Sequence, residues 1–382
     1  MKLDLPDADA YLIVSESVHS ADMYYATGFL AHDPFIYLNS KNEKLLISDM
    51  ELGRAKKESR VKDVLPTSGF GIMEKLRALK DIDAAYSGMI VEFLRCENVL
   101  RIAVPYNFPV YLADIMRREG FEVIPVKSPF RSMREVKKEN EIKAIEKAQR
   151  AGEKALAQAI SAISNATVRN SILWSNNSPL TSENIRSIIE TSLLSGGFEA
   201  PDIIVACGCG SADPHWQGEG DLHAGEPIVI DMVPRSKKER YYSDMTRTVV
   251  REAPSDEIRD MYSAVKDAQV AAISQIKAGI TGSEVHGIVC DTLEARGYET
   301  VRGKTGVFTE GFIHSTGHGV GLDIHESPSL SESGKELKEG CVVTVEPGLY
   351  YKKTGGVRLE DVVVVTASGC KNLTMFEKNL VL

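Results

Sequence analysis

The chain has 382 residues, 43% hydrophobic and 26% charged, with a formal net charge of −9. That length exceeds what one ordinary core organises, so two domains are expected. The acidic balance argues against nucleic-acid and anionic-membrane partners, and no apolar run approaches the roughly eighteen residues of a membrane span.

The N-terminal stretch MKLDLPDADA lacks the basic-then-apolar layout of a signal peptide. The six cysteines are scattered without a disulfide framework, which points to the reduced cytoplasm. Cys207 and Cys209 could bind a soft metal only as half of a site, and thiols of the core or of a loop are the simpler reading.

Short apolar segments rich in branched residues occupy 10–15, 34–40, 43–48, 101–105 and 121–126, with helical patterns between them, clearest at 71–80 and 107–118. This alternation predicts an α/β domain over residues 1–128, with a largely parallel sheet and a hairpin joining the second and third strands. No phosphate-binding glycine loop follows any of these strands, so nothing in them supports a nucleotide site. The domain boundary falls near Lys127–Pro129.

A long amphipathic helix follows, with Ile142, Ile145, Leu156, Ile160 and Ile163 on its apolar stripe. Helical patterns recur at 181–195, 255–278 and 283–296, the last after a Thr281–Glu284 capping box. Strand-like runs fill 201–206, 227–233, 342–346 and 357–366. Helices and strands do not alternate regularly, so residues 129–382 are expected to form an α+β domain.

Four acids interrupt apolar or β-branched runs in this half: Asp231 in IVIDMV, Asp244 in YYSDMTRT, Glu346 in VTVEPG and Glu360 in VRLEDVVVV. A buried, unpaired carboxylate is costly, although any one of these could turn outward at a strand end. Three of the eight histidines, His314, His318 and His325, lie in the glycine-rich stretch HSTGHGVGLDIHE. Spacing and glycines exclude the helical HExxH motif. Four carboxylates and an imidazole suit two divalent cations, with Mn, Co, Fe and Zn all compatible.

In this order, IVIDMV, YYSDMTRT, HSTGHGVGLDIHE, VTVEPGLYY and GGVRLEDVVVVT resemble the motifs of the pita-bread metallopeptidases, and more narrowly of the prolidase and aminopeptidase P branch. The resemblance spans about residues 130–382, and the N-terminal portion is similar to that branch's creatinase-type domain. It implies metal ligands Asp231, Asp244, His318, Glu346 and Glu360 for two divalent ions. Glu346, His215 and His325 would then act on the scissile peptide, with His314 contacting substrate and Arg358 steadying the acidic groups. The implied activity is hydrolysis between an N-terminal residue and a following proline, on short peptides, by a cytoplasmic homodimer.

Methionine aminopeptidases share the ligands, but the extra N-terminal domain and GGVRLED favour the proline-directed branch. A broader-specificity aminopeptidase is the alternative within the fold. Metal-free creatinase-like enzymes and catalytically silent binding proteins share the fold too, but this chain keeps the full ligand set. Two departures stand out: the PRSKKER turn between the aspartates is longer than usual, and no arginine follows His325-Glu326 to hold a dipeptide carboxylate.

Overall fold

The computed structural model describes residues 3–5 and 7–382. The chain forms two compact units, Met1–Arg134 and Glu135–Leu382.

In the first unit, β1 (Ala10–Ser15), β2 (Phe35–Asn39), β3 (Glu43–Ile47), β4 (Asp63–Pro66), β5 (Arg101–Pro105) and β6 (Glu122–Val126) form one sheet in the order β4-β3-β2-β1-β5-β6. The pairs β1–β5, β5–β6 and β3–β4 are parallel, whereas β1–β2 and β2–β3 are antiparallel. The sheet is therefore mixed rather than largely parallel. The short turn after Asn39 can join only antiparallel strands, and it places that hairpin inside the sheet.

Helices α1 (Ala21–Thr27), α2 (Leu52–Glu58), α3 (Ile72–Leu79), α4 (Ile82–Cys96) and α5 (Val110–Arg118) connect these strands. Strand alternation divides the core. Leu12, Ile36 and Leu38 pack with Ile90, Phe93 and Leu94 of α4, while Tyr11 and Tyr37 meet Phe130. Phe130 belongs to α6 (Pro129–Glu135), which is why the first unit runs on to Arg134, past the Lys127–Pro129 boundary expected from sequence.

The second unit contains two similar constructions, each a helix pair laid on a sheet. In one, α7 (Glu139–Ser164) and α8 (Ser182–Ser195) cover an antiparallel sheet of β11 (Ile203–Cys207), β12 (Ile228–Met232) and β14 (Met245–Val249). Small accessory strands β7 (Thr167–Arg169), β8 (Ile172–Ser175), β9 (Ser178–Pro179), β10 (Phe198–Glu199) and β13 (Arg235–Ser236) flank it. In the other, α9 (Asp256–Gln275) and α10 (Gly282–Ala295) cover a sheet ordered β16-β15-β17-β20-β21. Its strands are β15 (Gly317–Gly319), β16 (Glu326–Leu330), β17 (Val342–Val345), β20 (Asp361–Val365) and β21 (Cys370–Asn372). The hairpin of β18 (Gly348–Tyr351) and β19 (Gly355–Arg358) adjoins it.

Side-chain caps start the helices where the sequence places them. Thr181 and Thr281 close capping boxes with Asn184 and Glu284, and Ser255 caps α9. Each such cap contributes about 1 kcal/mol.

The twofold side-chain period of the strands then sorts the acids. Ile228, Ile230, Met245 and Val249 face α7 and α8, so Asp231 and Asp244 are on the opposite face. Val343, Val345, Val357 and Leu359 face α9 and α10, so Glu346, Arg358 and Glu360 also turn away from the helices.

Candidate metal centre

One cavity of about 420 Å³ receives every residue that the family resemblance implied for the site: His215, Asp231, Asp244, His314, His318, His325, Glu346, Arg358 and Glu360. Ile204, Pro214, Val233 and Ile324 supply apolar wall, and Asp202 adds a further carboxylate. Arg358 is the one permanently charged cation among these lining residues, and its Nη2 is 2.6 Å from Oδ2 of Asp231.

The ring of His318 is oriented by its neighbours. Its Nδ1 is 3.0 Å from the Gly319 carbonyl, and burial, reinforced by His325, pushes its pKa down to about 4. A carbonyl only accepts, so the neutral ring carries its proton on Nδ1 and leaves Nε2 as a bare lone pair. That nitrogen sits 3.4 Å from Oε1 of Glu346 and 3.7 Å from Oδ2 of Asp244. One potential ligand atom each from Asp244, His318 and Glu360 lies within 4.8 Å of the others. Such a gathering of acceptors is repulsive unless protons or a cation stand between them.

The carboxyl groups show that conflict. Burial raises Asp244 and Glu360 well above the usual carboxylate range; Asp231 and Glu346 add to the shift at Asp244, and Asp244 and Glu346 at Glu360. Glu346 is pushed up to about 8 by burial, opposed by Arg358 and reinforced by Asp231. Oδ1 of Asp231 and Oε1 of Glu360 are buried without a hydrogen-bond partner among the described residues. Orphaned carboxylate oxygens beside a bare imidazole nitrogen fit a hard or borderline divalent cation, so the donor set passes this test for a metal.

Several supports were not legible as site residues. Thr246 donates to Oε2 of Glu360 (2.8 Å) and accepts from Nε of Arg358 (3.2 Å). Thr344 accepts from the His318 N–H (3.0 Å) and donates to Oε1 of Glu346 (3.2 Å). Each threonine lies two positions from an acid, so strand alternation was the available signal. Close approach here requires Gly317, where a Cβ would sit 2.1 Å from the Thr344 carbonyl oxygen.

Tyr350 joins two more residues, its hydroxyl lying 2.9 Å from both Nη1 of Arg358 and Nε2 of His314. His314 also contacts the Ser315 carbonyl through Nδ1 (2.7 Å), and burial lowers its pKa to about 4. Both its nitrogens are thus engaged within the protein, and it offers the cavity mainly a ring face. His215 and His325 are exposed to the cavity; the His325 ring packs 4.2 Å from that of His318.

The apolar run 357–366 is not one strand. It breaks at Leu359–Glu360, where the Glu360 N–H donates to the Thr246 carbonyl (3.1 Å) and carries the chain from the hairpin into the sheet. Cys207 and Cys209 face different partners, the sulfur of one accepting from His223 N–H and the thiol of the other donating to the Lys353 carbonyl.

The sequence pattern of metallopeptidase family M24 matches residues 143–367, and that of the creatinase/prolidase N-terminal domain matches residues 3–136. A Pyrococcus horikoshii protein named Xaa-Pro dipeptidase is 31% identical over 386 residues, covering 99% of this chain and 96% of that protein. The crystal structure of an X-Pro aminopeptidase from Thermotoga maritima MSB8 superposes with a TM-score of 0.81 at 28% identity, covering 98% of each chain. A prolidase from Pyrococcus furiosus gives 0.79 at 28% identity over 97% of each chain. With these matches spanning both units, the chain belongs to metallopeptidase family M24, as a pita-bread metallo-exopeptidase carrying a creatinase/prolidase-type N-terminal domain.

Proposed function

We propose that the protein is a dinuclear metal-dependent exopeptidase that cleaves between an N-terminal residue and a following proline. The observation that carries this reading is the convergence of four carboxylates and the bare Nε2 of His318 on one cavity with an apolar wall. The relatives' names, Xaa-Pro dipeptidase and X-Pro aminopeptidase, support the substrate class.

Asp231, Asp244, His318, Glu346 and Glu360 would hold the ions. When bound, such ions supply Lewis acidity towards a carbonyl and a lowered pKa for water. Glu346, once its ions hold it ionised, accepts a proton from the attacking water. Burial, then His215, lowers the pKa of His325, so near pH 7 its neutral ring donates a hydrogen bond to the carbonyl oxygen as charge develops there. His215 flanks the same position. Ile204, Pro214, Val233 and Ile324 offer an apolar surface to a proline ring, which brings no N–H needing an acceptor. The free thiols support a cytoplasmic setting. The homodimer rests on the family resemblance, and sedimentation equilibrium would read it.

Arg358, the one permanent cation among the described lining residues, is committed to Asp231, so within this lining none waits for a carboxylate at the end of residue two. Hydrolysis of Ala-Pro-Ala is therefore expected to stay within about tenfold of Ala-Pro in kcat/KM, a gap of about 1.4 kcal/mol, while Ala-Ala is cut far more slowly. Tripeptide rates thousands of times lower would make the enzyme a strict dipeptidase. Equal cleavage of Ala-Ala would remove the proline preference.

The titrating groups also predict how stability without metal depends on pH. Between pH 4.5 and about 8 the folded Glu346 retains a proton that the unfolded chain releases, so stability falls as pH rises through that window. Below pH 6.5 the lowered pKa values of His314 and His318 act in the opposite sense. The clean window is pH 6.5–8. There the melting temperature of EDTA-treated protein should fall, and the gain on adding Mn²⁺ should grow. A metal-induced gain that shrinks towards pH 8 would contradict this assignment.

A further inference from the structure

Lys137 precedes Lys138, the N-cap of α7, and its side chain is 2% exposed. Its Nζ is 2.7 Å from Oε1 of Glu326, whose side chain is 6% exposed. The backbone around it is fixed, since Val136 forms a bridge with Cys341 and the Lys137 N–H donates to the Gly340 carbonyl (2.9 Å). Lys137 is thereby referenced to the start of β17, the strand that leads to Glu346.

Glu326 opens β16 opposite Gly319, the residue after His318. Its side chain folds back over Gly321, where an added Cβ would lie 2.3 Å from Oε1. Gly321 in turn donates to the Asp323 carbonyl (3.1 Å) and accepts from the Tyr242 N–H (2.7 Å). The Glu326 carboxylate therefore packs against the turn 320–325, whose last residue is His325.

We propose that the buried Lys137–Glu326 ion pair is a positioning device that holds the His325 imidazole at the reaction site; this rests on the function proposed above. A nearly buried ammonium is costly unless paired, and a well-packed apolar pair would often stabilise the fold as well. What the charged pair adds here is a directional link between the fixed backbone at Lys137 and the turn that aims His325. Lys137 touches neither substrate nor metal ligand in this reading and acts through His325.

The test is a double-mutant cycle on metal-loaded, full-length protein with Ala-Pro-Ala as substrate, comparing K137M, H325A and the double variant well below their melting temperatures. K137M is expected to lower kcat by about 10–100-fold, the cost of misplacing a catalytic group by about an ångström, with KM and metal content little changed. In the H325A background the same substitution should cost less than about threefold, because both losses run through one imidazole. Equal losses with and without His325, or a lower melting temperature with kcat intact, would overturn the proposal.

An arm independent of turnover uses the histidine ring ¹H–¹³C spectrum of zinc-loaded protein. The cross-peak that vanishes in H325A should shift in K137M, and an unmoved peak would count against the proposal. If K137M does not fold, E326Q, which keeps the shape and removes the charge, runs both arms. If the wild type cleaves no Xaa-Pro peptide, the proposed function falls and the spectrum alone decides the role of Lys137.

Discussion

Glu360→Ala is expected to strip the centre of metal and to lower peptidase activity by more than about 10³-fold, since several kcal/mol of Lewis-acid and water-pKa effects leave with the ions. Glu360 is 1% exposed, and one of its oxygens accepts from Thr246 while the other has no hydrogen-bond partner among the described residues. Its backbone N–H is held separately by the Thr246 carbonyl, so loss of the carboxylate leaves the strand crossing in place. Glu360→Gln sharpens the test. It keeps the shape and the Thr246 contact, so metal affinity should fall while the fold persists. Without metal at pH 8, this variant should melt higher than the wild type, because burial and the neighbouring Asp244 and Glu346 penalise an ionised Glu360 and glutamine carries no such penalty. Metal analysis and paired melting curves read both effects. Asp244→Ala should match it in metal loss, and either alanine variant retaining two ions with wild-type affinity would sink the ligand assignment.

His325→Ala should retain metal and fold while kcat drops by roughly 10²–10⁴, the range for a positioned proton-transfer or oxyanion group. The ring is exposed to the cavity and makes its edge contact with His318, whose orientation is kept by the Gly319 carbonyl. Ligation should therefore survive the substitution. Steady-state kinetics on Ala-Pro-Ala, with metal content measured on the same sample, separates the outcomes. A rise confined to KM would make His325 a uniform binding contact.

Much of the local structure was legible in the sequence. Strands at Ala10–Ser15 and Arg101–Pro105 fall where the branched apolar runs lie, and the Thr281–Glu284 box marks the start of α10. Alternation also explains why Asp231, Asp244, Glu346 and Glu360 stood out, since each breaks a run whose neighbours belong to a core. The broken strand at Glu360 was not legible: the hydrogen bond that redirects it comes from Thr246, and an apolar run carries no mark of where its partner strand changes.

The sequence by itself determined most helix and strand segments, the capped helix starts at Thr181, Ser255 and Thr281 and, through its ordered motifs, the family. Only the tertiary structure decided the mixed order of the first sheet and the close meeting of Asp244, His318 and Glu360. It alone showed that both nitrogens of His314 are engaged and that Lys137 reaches Glu326. The reason is physical: periodicity and capping act over a few residues, whereas strand order and the burial of one charge against another depend on segments far apart in the chain.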